Sequence, residues 1–374
     1  VYYAHMLRHY GGLPIIDKVI SPDEASMPTR ATLQQTVDFI VRLLNEAIDC
    51  PEFPWHISEA EMSNWDGRLT KAGAMGTISE KQFVGVDLSM DNTFYKNNLF
   101  EDYTSVELNP YYLYQSEDWK IRLGAHVDFA FGFGKKFRVA PDVTAQYIFS
   151  DSYILYAQAT GGRQTNDFRK LEIVSPYGQS STQLDATYEQ LNAALGFKTS
   201  PVTGLWFNIY GGYQDLKNNL ASAAIANYSG SYLQLLQGNM HNIYAGAEAS
   251  YSYKDIISFT ASGIYRDWKT AKTENNSGDQ LLYYMPSFEA NFKVDIRPVS
   301  SVLINLGYQH ITREKIGNER VDPVGNLYLG GSYEVFEGIS IYVRANNLLN
   351  KDYQYYPGYP TEGINFMGGV SFRF

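Results

Sequence analysis

The chain has 374 residues, a net charge of −10 and only 19% charged residues, against 31 Tyr, 20 Phe and 31 Gly. Soluble domains carry nearer a quarter charged residues, so this surface is covered by something other than charge. No stretch approaches about 18 consecutive apolar residues, which excludes a spanning helix; the acidic balance makes nucleic acid a poor partner; and a lone Cys50 excludes both an internal disulfide and a cysteine-based zinc site.

Val1 opens the chain with no basic start and no apolar h-region, which predicts a mature, truncated or partial polypeptide. Composition then shifts along the chain. Residues 77–374 hold 28 of the Tyr and 26 of the Gly, so residues 1–76 form a separate compositional region. That region reads as helical. From Thr32 to Asp49, Val37, Ile40, Val41, Leu44, Ala47 and Ile48 fall at helical spacing, with Thr32 as N-cap, Gln35 as its capping-box partner and Pro51 as the stop. A second helix is expected to end at Tyr10, before Gly11-Gly12 and Pro14. A third is expected to begin near Lys71. Two amphipathic helices cannot close a core over so short a region, so it needs a partner surface.

The run from Tyr2 through Tyr10-Gly11-Gly12-Leu13-Pro14-Ile15-Ile16-Asp17 resembles the SusD/RagB family of outer-membrane nutrient-binding lipoproteins. The resemblance continues in Arg30, in Asp38-Phe39-Ile40, in Leu44-Asn45-Glu46-Ala47 and in Gly67-Arg68-Leu69-Thr70-Lys71-Ala72-Gly73-Ala74. It implies a slice of a helical-repeat scaffold, hence an α-helical fragment over 1–76 and a barrel domain over 77–374.

From Gln82 onward the period of the pattern changes from 3.6 to 2. Trp119, Ile121, Leu123, Ala125, Val127, Phe129 and Phe131 share one parity; Lys120, Arg122, Gly124, His126 and Asp128 share the other. Phe137, Val139, Val143, Ala145, Tyr147 and Phe149 likewise oppose Arg138, Asp142, Thr144 and Gln146. Between Pro286 and Arg297, Phe288, Ala290, Phe292, Val294 and Ile296 oppose Ser287, Glu289, Asn291, Lys293, Asp295 and Arg297. Long strands of this kind suit a wall between lipid and a wet lumen. A soluble sandwich also alternates, but its strands are shorter, about 5–6 residues.

Fourteen such segments start near Gln82, Tyr103, Trp119, Lys136, Tyr153, Tyr188, Leu205, His241, Ile256, Met285, Val302, Asn326, Ile339 and Ile364. Short turns at 116–118, 150–152, 201–203, 254–255, 298–300 and 337–338 alternate with long polar loops at 161–183, 215–240, 268–283, 312–325 and 350–362. One short link, Gly132-Phe133-Gly134-Lys135, breaks the alternation. In outer-membrane barrels short turns are periplasmic and long loops external, which orients the chain. The fold class expected is therefore a mainly β, antiparallel transmembrane β-barrel of about fourteen strands, part of a larger barrel or whole, preceded by the helical fragment. The span from Gly76 to Gln82 reaches at most roughly 20 Å, less than the roughly 30 Å hydrocarbon core. With a SusD-like part outside and a first strand starting in the periplasm, this predicts two partial molecules joined between residues 76 and 82.

The closing strand carries Ile364, Phe366, Gly368, Val370, Phe372 and Phe374 on one parity. Gly369, Phe372 and Phe374 resemble the C-terminal signal read by the barrel-assembly machinery. Asn347-Leu348-Leu349-Asn350-Lys351-Asp352-Tyr353, then Gly358-Tyr359-Pro360 and Gly363, resemble the C-terminus of TonB-dependent receptors. With Asn109-Pro110-Tyr111-Tyr112, Trp119-Lys120-Ile121-Arg122-Leu123-Gly124 and Gly204-Leu205-Trp206-Phe207, the likeness is to TonB-receptor-like barrels of Bacteroidetes. It implies outer-membrane nutrient uptake.

Chemistry-bearing motifs are few. His5 and His9 stand four apart on a helix, but Met6 replaces the Glu that an HExxH zinc site needs. His126 and Asp128 form half of a hydrolytic dyad, for which a charged pore lining is the simpler account. His241 and His310 belong at the rim. Gly132-Phe133-Gly134 has Phe137 where a dinucleotide fingerprint needs its third glycine. Trp55 and Trp65 suit packing better than sugar stacking. No catalytic, metal or cofactor site is expected, and so no enzyme. The lumen-facing polar residues expected are Lys120, Arg122, His126, Asp128, Glu289, Lys293, Asp295 and Arg297. The leading expectation is an outer-membrane receptor for a small-molecule, glycan or peptide nutrient, with membrane lipid, a SusD-like lipoprotein and other outer-membrane proteins as partners. The alternative is a structural or assembly-scaffold barrel that transports nothing; an outer-membrane lipase or protease ranks third.

Overall fold

The computed structural model describes Arg42 and residues 68–374 except 96–99, 151, 177, 180–182, 228–229, 255, 271–280, 315–320, 357 and 374. The helices expected before residue 50, apart from helical Arg42, lie outside the described residues, as do His5, His9, Cys50, Trp55, Trp65 and Phe374.

The described chain is an antiparallel meander in which each long strand pairs with its neighbours in sequence. Its strands are β1 (Arg68–Ser79), β2 (Gln82–Thr93), β3 (Tyr103–Gln115), β4 (Trp119–Gly132), β5 (Phe137–Ser150) and β6 (Tyr153–Gln164). A short helix α1 (Phe168–Val174) and β7 (Gly178–Gln179) precede β8 (Thr187–Val202), β9 (Leu205–Asn227), β10 (Gly230–Tyr253) and β11 (Ile257–Thr270). Then come β12 (Pro286–Ile296), β13 (Val302–Arg313), β14 (Val324–Phe336), β15 (Ile339–Asn346), β16 (Gln354–Tyr356), β17 (Tyr359–Pro360) and β18 (Asn365–Phe372). The sheet order runs β1 to β6, β8 to β15 and then β18; β7 adds itself parallel to β10, and β16 pairs only β17.

Thirteen of the fourteen expected strands begin within two residues of the expected positions. Two expectations are corrected. The segment from Lys71 is not a helix start. It lies in β1, whose register runs from Arg68 opposite Asn92 to Ser79 opposite Gln82. Gly73 and Gly76 disfavour a helix interior, and β2 offers the ladder that satisfies this backbone. The 76/77 boundary therefore falls inside β1. The second correction concerns 215–240, expected as a loop. β9 and β10 instead continue to Asn227 opposite Gly230. Leu220, Ala221, Ser222 and Ala223 are all buried. With both faces covered, the segment has no alternation to reveal a strand.

Two compact units divide the chain. In the smaller, which includes Tyr333–Tyr342 and Gly369–Phe374, the Arg373 N–H donates to Gly338 O at 2.6 Å. Gly338 turns the chain with φ +82°, and Gly369 lies under the Tyr342 ring. The larger unit, Ser63–Ser332 with Val343–Gly368, contains the features described next.

Burial in its strands is inverted relative to a soluble protein. On β4, Leu123 is 49% exposed and Phe131 60%, while Asp128 is 3%. Phe137, Val139 and Phe149 on β5 and Phe292 on β12 are also exposed. Such a face is stable only against an apolar medium. At the short-turn ends of β4, β5, β6, β8 and β9 the rings form a run. Trp119 lies 4.7 Å from Tyr147, Phe149 5.6 Å from Tyr153, Tyr153 6.1 Å from Phe197, and Phe197 6.2 Å from Phe207. Aromatic rings collect where hydrocarbon gives way to water.

Part of the high Tyr and Gly content has a structural cause. Tyr111 lies across Gly85, Tyr156 across Gly196, Tyr244 across Gly212 and Tyr210 across Gly246, each from the paired position of the adjacent strand. A Cβ on any of these glycines would strike the ring. The ring covers backbone that a bare glycine would leave unpacked.

Candidate functional site

The polar parity of β2 to β5, with Tyr188 of β8, carries three adjoining bonded groups. Arg122 Nε donates to Asp142 at 2.6 Å, its NH2 reaches Asp87 at 3.4 Å, and its guanidinium stacks 3.7 Å from the Tyr111 centroid. Asn109 Nδ2 donates to the same Asp142 oxygen at 2.9 Å. His126 Nδ1 stands 2.6 Å from Glu107 Oε1, a distance that places the proton on that nitrogen. Asn109 Nδ2, 3.4 Å from the same nitrogen, is then a neighbour and not a donor to it. Tyr188 donates its hydroxyl to Asp128 at 2.9 Å. Buried charges survive only when so paired and bonded.

Above this network, at the long-loop end, the described residues of 165–186 form a strap. Asp167 caps α1, accepting from the Lys170 N–H at 2.9 Å, which satisfies one orphan donor of that short helix. Burial lowers the pKa of Lys170, against a smaller opposing pull from Asp167. Asp185 is the hub. Its carboxylate accepts from Arg138 at 3.3 Å and Asn218 at 3.0 Å; its carbonyl accepts from Asn166 and Gln237, each at 2.6 Å. Gly134, at φ +91°, runs so close that a Cβ would strike the Asp185 side chain. On the far side Gln183 and Glu101 exchange two bonds of 2.8 and 2.7 Å, and Thr165 donates to Asp91 at 3.0 Å. The strap thus reaches from β2–β3 on one side to β9–β10 on the other.

The remaining expected residues are spread out. Lys120 is exposed near the short-turn end of β4. Glu289 pairs with Arg266, and Lys293 with Asp295 at 2.7 Å. Arg297 is exposed beyond β12. Of the eight, Arg122, His126 and Asp128 fall into one region and Lys293 pairs with Asp295; the others stand apart. Glu107, Asn109, Asp142, Asp185 and Tyr188 complete their surroundings and were missed. Parity marks the first three, since they share the face of Arg122; nothing local marks Asp185 or Tyr188. The dyad reading of His126 and Asp128 finds no support, because His126 binds Glu107 and Asp128 binds Tyr188. Among the described residues no group of three or more His, Cys, Asp or Glu is placed to hold a metal. No helix among them is long and apolar enough to cross a membrane, which leaves crossing by strands open.

The Asn347-Leu348-Leu349-Asn350-Lys351 segment is a backbone knot. Asn347 is 1% exposed, with φ +51°. Its amide donates to the carbonyls of Lys351 and Glu362, both at 2.9 Å, and its Oδ1 accepts from the Lys351 N–H at 3.1 Å. The connection so tied carries Tyr353, whose hydroxyl burial pushes up to about 12.

No protein-family model and no curated protein matches the sequence. Solved structures do. The copper transporter OprC is 14% identical with a TM-score of 0.57, over 82% of this chain and 56% of that one. The FrpB iron transporter from Neisseria meningitidis (F3-3 variant) is 13% identical with a TM-score of 0.58 over the same shares. The ferripyoverdine receptor of the outer membrane of Pseudomonas aeruginosa, bound to ferripyoverdine, is 15% identical with a TM-score of 0.56, over 82% and 48%. At such identities the likeness is one of fold, and the sheet is that of the TonB-dependent receptor barrels. The chain spans about half the length of these structures.

Proposed function

We propose that the chain is a barrel wall of a bacterial outer-membrane transport receptor, admitting or gating a nutrient without acting on it chemically. The observation that carries this reading is the inverted burial of the strands, with Leu123 49% exposed and Asp128 3%. The bare apolar parity meets lipid, and Lys120, Arg122, His126, Asp128, Glu289, Lys293, Asp295 and Arg297 face the lumen. Strands of 11 to 16 residues, such as β12 and β8, meet or exceed the roughly 9–11 that a tilted strand needs to cross. The short turns, with their aromatic run, lie at the periplasmic side, and the strap lies at the external mouth. The TonB-dependent receptor fold supports transport in general. A glycan or peptide cargo and a SusD-like lipoprotein partner rest on the motifs in residues 1–76. Gly369, Phe372 and Phe374 act as the assembly signal.

Single-cysteine labelling in membranes tests the reading. Cysteine at Leu123 or Phe292 is expected to resist a water-soluble maleimide, and cysteine at Arg122 or Lys293 to react. Equal reaction at all four would remove the lipid–lumen assignment.

A further inference from the structure

Arg313, at the long-loop end of β13, is 5% exposed. Its NH2 donates to the carbonyl oxygens of Gln354 at 2.8 Å and Tyr355 at 3.2 Å, and its guanidinium lies 5.3 Å from the centroid of the Tyr284 ring. Its NH1 is buried with no hydrogen-bond partner among the described residues. Enclosed charge is costly unless an opposite charge meets it, and here two neutral carbonyls and a ring stand in its place. The carboxylates nearby are spent elsewhere. Glu289 pairs with Arg266, and Glu314 accepts from the Trp268 N–H at 3.3 Å. Arg344 likewise has neutral partners: its Nε donates to Asn346 at 2.8 Å, and its guanidinium covers Tyr328 at 4.3 Å. Both guanidinium charges bear on the Tyr355 hydroxyl, which donates to Gln309 at 2.7 Å. In a chain of net charge −10, Tyr355 thus stands between two cations that form no ion pair among the described residues.

Unspent N–H donors on a charge without a counterion call for an anion, and the guanidinium fork matches two oxygens of a carboxylate or a phosphate. What holds the fork now can leave. β16, which supplies both carbonyls, pairs among the described residues only with β17 and not with the barrel sheet. The Tyr355–Gln309 bond and the Tyr284–Gln354 bond at 3.2 Å, which also tie β16, join neutral groups. A hydrogen bond with charge on both sides is roughly twice as strong as a neutral one, so the exchange favours the anion. We propose that Arg313 takes the anionic group of a solute in place of the Gln354 and Tyr355 carbonyls, releasing β16 from the wall. Arg344, which is exposed, offers the first contact. The inference rests on the transport reading and narrows the solute to carboxylates and phosphates.

Calorimetry on the full chain in nanodiscs tests the site, with citrate and inorganic phosphate as probes and the uncharged triethyl citrate as control. At least one anion is expected to bind, and the neutral ester to bind far more weakly. Arg313→Gln should weaken the anion by about tenfold or more, the loss expected of a hydrogen bond to a charged group. Arg313→Lys, which keeps the charge and loses the fork, should fall between. Which anion binds tells a carboxylate solute from a phosphate one. Hydrogen exchange reads the release: amides of 353–361 should exchange faster once the anion is bound, and in Arg313→Gln they should be fast with or without it. Heat-modifiable gel migration shows that both variants are folded; should Arg313→Gln fail to fold, Arg313→Lys and the wild-type exchange response decide. Absence of binding by either anion, equal binding of the ester, unaltered affinity in folded variants, or exchange unchanged by the bound anion overturns the proposal. Passage of the anions into liposomes is read separately. Binding that depends on Arg313 without passage would keep the site and sink transport, whereas passage indifferent to Arg313→Gln and without anion binding would do the reverse.

Discussion

At the short-turn ends of β4 to β9 the side chains that meet are rings; at the opposite ends of the same strands they are carboxylates, guanidinium groups and amides. The rings from Trp119 to Phe207 touch rings on the next strand or, as with Phe149 and Phe197 at 6.2 Å, one strand beyond, and share no single hub. Asp185 gathers Arg138, Asn166, Asn218 and Gln237 from across the sheet. One end is redundant, because any ring can be lost while the rest hold. The other is centralised, because four of its bonds share one residue, Asp185. The difference teaches where this wall tolerates change.

The sharpest break of that comparison is Asp185→Ala. Removing one partner of an enclosed ion pair strands the other, which costs about 3 kcal/mol where burial is substantial. The Arg138 and Asp185 side chains are 13% and 19% exposed, so a loss of about 2–3 kcal/mol is expected. Denaturant unfolding measures it, and amide exchange should quicken in residues 165–186; protection equal to wild type would contradict the hub. Next is Gly85→Ala, which drives a methyl into Tyr111. Overpacking of this kind costs about 1–3 kcal/mol. Combining it with Tyr111→Ala in a double-mutant cycle should recover much of that loss, and additivity would show that ring and glycine do not act as a pair. A smaller effect is expected at the redundant end, where Phe197→Leu should cost about 0.5–1.5 kcal/mol of ring–ring contact. If that substitution proved as damaging as Asp185→Ala, the contrast between the ends would fall.

The smallest effect lies in the knot. The Tyr353 hydroxyl is pushed up to about 12 by burial, so the folded state holds its proton more tightly than the unfolded chain does. The stabilisation is complete below about pH 10 and is lost as pH rises toward 12. Ultraviolet titration should show the late-ionising tyrosine fraction smaller by one residue in Tyr353→Phe.

Legibility in the sequence followed the same division. Strands bare on one face and covered on the other announce themselves by period, so Trp119, Phe137 and Val302 were placed to within a residue. β9 was ended early because Leu220 to Ala223 are covered on both sides and carry no alternation, and β10, its partner over that stretch, was begun eleven residues late. β1 was read as a helix start because the Arg68–Ala74 run matched a helical motif, while its pairing with β2 is a tertiary fact. Arg122, His126 and Asp128 followed from parity. Asp185 did not, since its partners lie up to 52 residues away and no local spacing encodes them.

The meander also implies an order of events. Most long strands pair with a neighbour across a short turn, and those hairpins close locally and fast. The bond between Gln183 and Glu101 joins positions 82 residues apart, which must wait until β3 to β6 are in place. Lengthening a loop costs little equilibrium stability, about 0.6 kcal/mol per doubling, but it delays closure. Folding therefore ends at the mouth: the chain passes through a stage in which the wall stands finished and the strap across it is still loose.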